Sequence, residues 1–336
     1  MVVYTGGSAA VTYGYEASYA PASTTATNIF GLQQKVTSLS LTTNKITLNK
    51  LGQVEPTKYA FGQQQGSVGL SFVWDDADTY KLFQSVYGAP SGTAASWVYP
   101  SGSTTPYSHS VAPAPTSLMT QIQLQTGTTS NMTRTLKGCV VNSLGLATSI
   151  GETVNGTIDM TYGKEDTVVA ESSDIVGQTD TSFDQGGTPY TFAHGELKIN
   201  TGSGLTDVAQ VQEVDVTFSQ NSELLYKLGQ HHATDMFRRV FDISGRFKTT
   251  WKDSTLIQHV ISQSNLTTPV ETLSGTNATA VEMSLTFTSG NKSITLQFGG
   301  VAINDQSVSG IEPVEPVFEE LNWSARTARI VVDTTA

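Results

Sequence analysis

An internal repeat without gaps constrains this chain more than any other feature of it. Lys50-Leu51-Gly52-Gln53 returns as Lys227-Leu228-Gly229-Gln230, 177 positions later. The same offset carries Trp74 onto Trp251, Asp76 onto Asp253 and Leu70 onto Phe247. It also places Thr37, Leu39 and Leu41 on Val214, Val216 and Phe218, so the register runs from about residue 36 to residue 83. A second block follows at an offset of 162, where Gly138 and Asn142 in Leu-Lys-Gly-Cys-Val-Val-Asn match Gly300 and Asn304 in Phe-Gly-Gly-Val-Ala-Ile-Asn. Near the ends, Met160 and Tyr162 meet Leu321 and Trp323 at an offset of 161. A tandem duplication of one domain accounts for all of this, with extra residues inside the first copy shortening the later offsets. Duplication in turn points to a symmetric assembly.

The 336 residues are enough for two domains with cores of their own. Only 14% of residues are charged, against about 25% in ordinary soluble proteins. Ser, Thr, Gly, Asn and Gln fill the difference, a profile of short strands and turn-rich connections. A sparsely charged surface also suits a subunit that covers itself with copies of itself. Cys139 is the single cysteine, so no disulfide forms within the chain, and its apolar neighbours predict a small buried core residue. No basic stretch and apolar block opens the sequence, and no run reaches the 18 or so apolar residues of a membrane span. The expected product is soluble and made in the cytoplasm. The net charge of −11 is uneven: residues 1–168 carry eight basic and nine acidic side chains, residues 169–336 ten and twenty. Neither half has the basic stripe of a nucleic-acid binder.

The Gly/Ala/Ser/Thr-rich residues 1–34 predict an extended or loosely ordered arm. Residues 35–41 alternate as a half-buried strand, 42–65 read as a long connection, and 68–74 form a strand with Val68, Leu70, Phe72 and Trp74 on one apolar face. Asp75 or Asp76 then caps a helix carrying Ala77, Tyr80, Phe83 and Val86. The second copy repeats this plan with Asp253 or Ser254 before Leu256, Ile257, Val260 and Ile261. Both tryptophans, each ending an apolar strand face, are expected buried between sheet and helix. Residues 88–117 form a surface insert whose Trp97, Tyr99 and Tyr107 give it a possible packing role. Strands follow at 119–125, 134–142 and 156–162, and in the second copy at 281–287, 294–303 and 317–323, with an extra strand at 190–199. The fold class is α+β, mainly β. Its divisions are an arm (1–34), a first domain (35–166), a linker with a lead-in strand (167–205) and a second domain (206–336), each domain having one packed helix.

Chemistry finds little support. His231-His232 corresponds to Val54 and Glu55 in the first copy, and no HxxxH, HExxH or CxxC spacing indicates a metal. Asp75, Asp76 and Asp78 lack the Gly and Glu of a calcium loop and read as helix caps. Glu312, Glu315, Glu319 and Glu320, interrupted by Pro313 and Pro316, read as a solvated or channel-facing acidic strand rather than a catalytic carboxylate pair. No nucleophile elbow, phosphate loop or dinucleotide fingerprint is present. The chain is read as a non-enzyme without cofactor or metal.

Three stretches resemble the tail tube proteins of tailed viruses of bacteria or archaea. The first is Leu136–Leu144 followed by Gly156–Lys164, and the second is the opening Tyr13-Gly14-Tyr15-Glu16. The third is Leu228-Gly229-Gln230 leading into Gly245-Arg246-Phe247, Trp251 and Asp253. The resemblance implies a tail-tube-like β-sandwich or barrel unit, here in its duplicated form. It further implies a homotrimeric ring of pseudo-sixfold symmetry, with rings stacked into a hollow conduit for genome delivery. The implied partners are other copies of the chain, tail proteins at the tube ends, and double-stranded DNA that passes without specific binding. The implied location is the tail of the virion. A receptor-binding or adhesin-like β protein, using the 88–117 insert as a contact loop, is the alternative, and the inner tube of a contractile injection machine would share the fold. A conduit must not hold phosphate, so Glu213, Asp215, Glu319 and Glu320 are the candidates for its wall, an outer solubilising wall being the other place for them.

Overall fold

The computed structural model describes residues 9–334, apart from 22, 23, 25, 27, 49–57, 94, 109–114, 127–129, 171–186, 201–203, 209, 252–280 and 311–315. The first half forms β1 (Ala9–Tyr15), β2 (Asn28–Ile29), β3 (Leu32–Leu48) and β4 (Lys58–Val73). A 3-10 turn at Thr79–Leu82 runs into α1 (Phe83–Tyr87), followed by β5 (Ser91–Thr93), β6 (Ser96–Tyr99), β7 (Leu118–Thr126), β8 (Ser130–Ser149), β9 (Asn155–Tyr162) and β10 (Lys164–Ala170). The second half forms β11 (Gly195–Asn200), β12 (Leu205–Asp207), β13 (Val211–Ser219), β14 (Ser222–Leu225) and β15 (Asp235–Arg238). It ends with β16 (Asp242–Thr250), β17 (Val281–Ser289), β18 (Lys292–Ser309) and β19 (Phe318–Asp333). The expected class holds: antiparallel sheet dominates, with one short α-helix among the described residues.

Alternation explains the strands. Along β9 residues are buried at every second position, which makes one face core and the other polar. Long strands bend to serve two sheets. The first part of β8 pairs with β7 and β10, and its second part with β9 and β13. The bend is at Gly138, whose φ of +64° a side chain would resist, and β18 bends likewise at Gly300, φ +63°. Glu16 fixes the first bend: its buried carboxylate accepts the Gly138 N–H at 3.0 Å, the Ala20 N–H at 3.1 Å and the Ser117 hydroxyl at 2.7 Å. Burial pushes this carboxyl above its ordinary range, against the pull of those donors. Glu16→Ala strands three donors and is expected to cost about 2–3 kcal/mol, with Glu16→Gln recovering part of it. Urea melts in which Glu16→Ala matches the parent would refute the anchoring role.

The registers of the two halves recur at constant offsets. Leu39 pairs with Val68 and, 177 positions on, Val216 pairs with Gly245. Val141 pairs with Met160, and Ile303 with Trp323, at offsets of 162 and 163. The register breaks between Val141 and Ser143 and again between Ile303 and Asp305, so the two matched asparagines, Asn142 and Asn304, are both bulge residues. Ile122–Arg134 likewise corresponds to Leu285–Leu296. The last strand follows 163, not the 161 read from Met160 and Tyr162, because the ladders put Met160 rather than Tyr162 in line with Trp323.

Three further expectations need correction. The arm contains β1, with Val11 and Tyr13 buried and paired to β7 from Ala9–Leu124 to Tyr15–Leu118. Its small residues hide a core strand whose partner is a hundred positions away. The connection at 42–65 is largely the outer part of the β3–β4 hairpin, which extends to Leu48 and resumes at Lys58. Thr42, Thr43, Asn44 and Lys45 on one strand and Gly62, Gln63, Gln64 and Gln65 on the other carry no apolar alternation where the hairpin continues. Trp251 is 43% exposed, whereas Trp323 is buried on Phe298 with ring centroids 4.9 Å apart. Trp323 also lies over Gly245, where any Cβ would strike the indole. The second half thus draws its core tryptophan from β19. The helix expected after Asp253 lies outside the described residues.

One core serves both halves. Aromatic contacts run from Tyr13 through Phe30, Phe72, Trp74 and Phe83 to Phe218, Phe298 and Trp323, with adjacent centroids 4.6–6.5 Å apart. The crossing from first half to second is the Phe83–Phe218 contact. Cys139 is fully buried in the same core, and burial pushes its thiol up to about 12.

Candidate assembly edges and polar sheet face

Eight strands lie side by side in the order β3-β4-β9-β8-β13-β16-β19-β18, through the second part of β8, the first part of β19 and the last part of β18. The halves meet in the β8–β13 ladder, from Glu213–Ser149 to Ser219–Ser143. Among the described residues the sheet does not close on itself within one chain. Among the described residues, β3 over 36–42 and β18 over 305–309 each have a ladder on one side only. An unpaired edge of that length is a template for another strand.

One face of this sheet is core and the other is covered with small polar side chains. Ser40 and Ser67 hydroxyls lie 2.7 Å apart, Ser143 donates to Asp159 at 3.1 Å, and Asn142 donates to Thr161 at 2.6 Å. In the second half Asn322 donates to Asp305 at 2.6 Å and Ser324 to Asn304 at 3.3 Å. Three of the four acidic candidates stand on this polar face. Arg246 binds Asp215 at 2.9 Å, Glu320 at 3.1 Å and Glu213 at 3.6 Å. Those carboxylates hold the guanidinium above its usual pKa, the hydrogen bonds to Asp215 and Glu320 contributing most. Lys248 sits directly across from both Glu213 and Glu320. Glu319 is the exception: 2% exposed, it points to the core side and accepts from Gln306 at 2.5 Å. Strand parity separates it from Glu320, and the acidic run concealed that. Sequence reasoning gave Arg246 a place only in the Gly245-Arg246-Phe247 motif and gave Lys248 none, although Glu213-x-Asp215 opposite Arg246-x-Lys248 is a cross-strand charge pattern. Because Arg246 is half-exposed, Arg246→Gln is expected to change stability by less than about 1 kcal/mol, and a drop in the urea midpoint as large as that of Glu16→Ala would contradict a surface role.

The repeat-defining residues take structural places. Trp74 is buried between Phe72 and Phe83. Asp75, rather than Asp76, organises the turn before the helix, its Oδ1 accepting the N–H groups of Ala77, Asp78 and Thr79 at 3.1–3.4 Å. Asp76 instead accepts the Thr188 N–H at 2.8 Å and faces Lys292 at 3.8 Å, which ties the first half to the second. Gly229 is in a turn at φ +84° with open space around it. Gly52 and Asp253 lie outside the described residues. His231 rests on the β3–β4 hairpin, its carbonyl accepting the Gln64 N–H at 2.8 Å and its ring near the Gly62 carbonyl at 3.2 Å.

The insert has a packing role. β6 pairs with the end of β19, Tyr99 with Ile330 through Ser96 with Asp333, and Tyr99 is buried. The Tyr107 carbonyl accepts the Thr327 hydroxyl at 2.9 Å against Gly299, a position where any Cβ would collide. Among the described residues, no group of three or more His, Cys, Asp or Glu side chains could hold a metal. Among them, too, no helix is long and apolar enough to cross a membrane.

No curated protein matches the chain. A family model does: the one described as phage tail tube protein matches residues 6–325, so nearly the whole fold described above falls within it. The chain therefore belongs to the phage tail tube protein family, and its role is that of a structural component of the virion tail.

Proposed function

We propose that the chain is a tandem duplication of one tube unit, and that three copies close into a ring whose rings stack into a hollow tube. The genome passes through that tube on delivery to the host. The observation that carries this reading is the β8–β13 ladder, in which two sheets of matching register join edge to edge while the outermost edges stay free. A head-to-tail contact between such edges generates a ring when the rotation closes. Three copies follow from the resemblance, since two units per chain then give the six of a hexameric ring. The boundaries at 35–166 and 206–336 need widening under this reading. β1 pairs with β7 as β11 pairs with β17, which makes β1 the lead-in strand of the first unit.

The polar face lines the channel in this proposal. Its hydroxyls and amides are neutral, and Glu213, Asp215 and Glu320 outnumber Arg246 and Lys248. Passing DNA meets mild repulsion and no cluster of cations to release its counterions against. Other tail proteins would meet the tube at its ends, after synthesis in the host cytoplasm. The packed insert takes away the contact loop on which an adhesin would depend. Negative-stain microscopy of purified chain and of particles containing it tests the reading. Hollow stacked rings are expected; separate knobs or fibres on the particle would overturn it.

A further inference from the structure

The internal ladder carries more than the existence of a ring; it specifies how one copy meets the next. Seven residue pairs join β13 to β8, from Glu213–Ser149 to Ser219–Ser143. The residues 177 positions before Asp215–Ser219 of β13 lie on the free edge of β3, and those 162 positions after residues 143–147 of β8 lie on the free edge of β18. We infer that β3 of one copy pairs antiparallel with β18 of a second copy in the register Thr42–Asp305, Ser40–Ser307 and Ser38–Ser309. Leu41–Gln306 and Leu39–Val308 interleave between these pairs. This inference rests on the duplicated-unit reading above.

Side chains support the match. Leu39 and Leu41 correspond to Val216 and Phe218, which are 1% exposed where β8 covers them. Leu41 is 42% exposed on its free edge. That exposure of a large apolar side chain whose counterpart is buried is what a missing neighbour would leave. On the other edge Val308 corresponds to Leu146. Gln306 departs from the pattern, standing where Leu144 stands, but its amide is already held by Glu319 on the core side. The polar residues of both edges are Ser, Thr and Asp, with no like-charged pair directly opposed.

The hydrogen-bond phase is fixed as well. Gln220 donates its N–H to the Asn142 carbonyl at 2.7 Å, and Ile150 donates to the Gln212 carbonyl at 3.0 Å, on either side of the β8–β13 ladder. Even-numbered residues of β13 are therefore its hydrogen-bonded pairs, and Thr217–Gly145 is a closer, non-hydrogen-bonded pair. Its counterpart is Ser40–Ser307. Within one chain these two serines sit on opposite edges with six strands between them, roughly 30 Å apart at sheet spacing. A bond between them must therefore join two copies.

The test is cysteine cross-linking in assembled rings. Ser40→Cys with Ser307→Cys places two thiols at a separation that a disulfide spans, while the buried Cys139, its thiol pushed up to about 12, stays silent. Oxidation should yield a closed covalent oligomer on non-reducing gels, about tenfold more than Ser40→Cys with Ser309→Cys, a pair displaced by roughly two strand positions. Either single variant should give no ladder of oligomers. If rings form but the shifted pair links as well as or better than Ser40–Ser307, the register is wrong and the ring reading survives. If no ring forms in particles either, both fall. Leu41→Lys provides a second readout: it should leave the melting of the free chain unchanged and abolish ring formation. Normal rings from Leu41→Lys would overturn the edge assignment.

Discussion

Trp74→Ala is expected to destabilise the chain by about 3–5 kcal/mol, the range for removing a buried large aromatic side chain. Trp74 is 1% exposed, with ring centroids 5.7 Å from Phe72 and 5.3 Å from Phe83, so its loss opens a cavity at the centre of the aromatic chain. Collapse to fill that space is restricted, because Gly156 beneath it already brings backbone against Phe72 and the indole. Trp323→Ala is expected to fall in the same range, since Trp323 is equally buried and covers Gly245. Trp251→Ala should cost clearly less than either, in keeping with its 43% exposure. Urea unfolding of the three variants orders them directly. A Trp251→Ala loss equal to that of Trp323→Ala would mean that the core tryptophan of the second half has been misassigned.

Gly138→Ala carries the second large effect. Its φ of +64° lies where a non-glycine residue is strained. An added Cβ would also stand 2.6 Å from the Tyr19 ring, which is itself packed at the bend. Strain and displacement together are expected to cost about 2–4 kcal/mol. Gly300 shares the backbone conformation at φ +63°, but its nearest obstacle is the Arg326 Cβ at 3.0 Å, so Gly300→Ala should cost about 1–2 kcal/mol. Gly229, at φ +84° with nothing near, should cost about 1 kcal/mol or less as alanine. Calorimetric melting would reveal the gradient from Gly138 to Gly300 to Gly229. A flat series would mean that these glycines are conserved between the blocks for no backbone reason.

The sequence repeat was informative because ladder registers follow side-chain alternation, and alternation survives substitution. Leu39 and Val141 could change to Val216 and Ile303 and keep their pairs, while Leu70 pairs with Val36 and its counterpart Phe247 with Val214, one step apart because the first half has a bulge after Val36. The glycine and asparagine of each block proved to be a bend and a bulge, backbone features that few other residues satisfy. What escaped notice depended on distant partners. The strand in the N-terminal arm exists because β7 and the Phe30 ring cover Tyr13, and nothing near residue 13 announces either. The β3–β4 hairpin runs on through Thr42–Lys45 and Gly62–Gln65, polar residues and a glycine without the apolar signal on which strand reading relies. Trp251 shared a letter and an offset with Trp74 but not its surroundings, since Trp323 had taken up the core space. In the acidic group a one-residue step decided the outcome: Glu320 faces Arg246, and its neighbour Glu319 faces inward. The family was legible in short motifs; the surfaces by which copies join became visible only when the free edges could be compared with the joined ones.

A cryo-microscopy reconstruction of the assembled tube tests the central claim most directly. The account predicts threefold rings with pseudo-sixfold domains, one continuous sheet crossing from β18 of each copy to β3 of the next, and the Arg246 face turned to the channel. A ring in which the β3 and β18 edges remain unpaired, or one whose channel is lined by the opposite face, would contradict it.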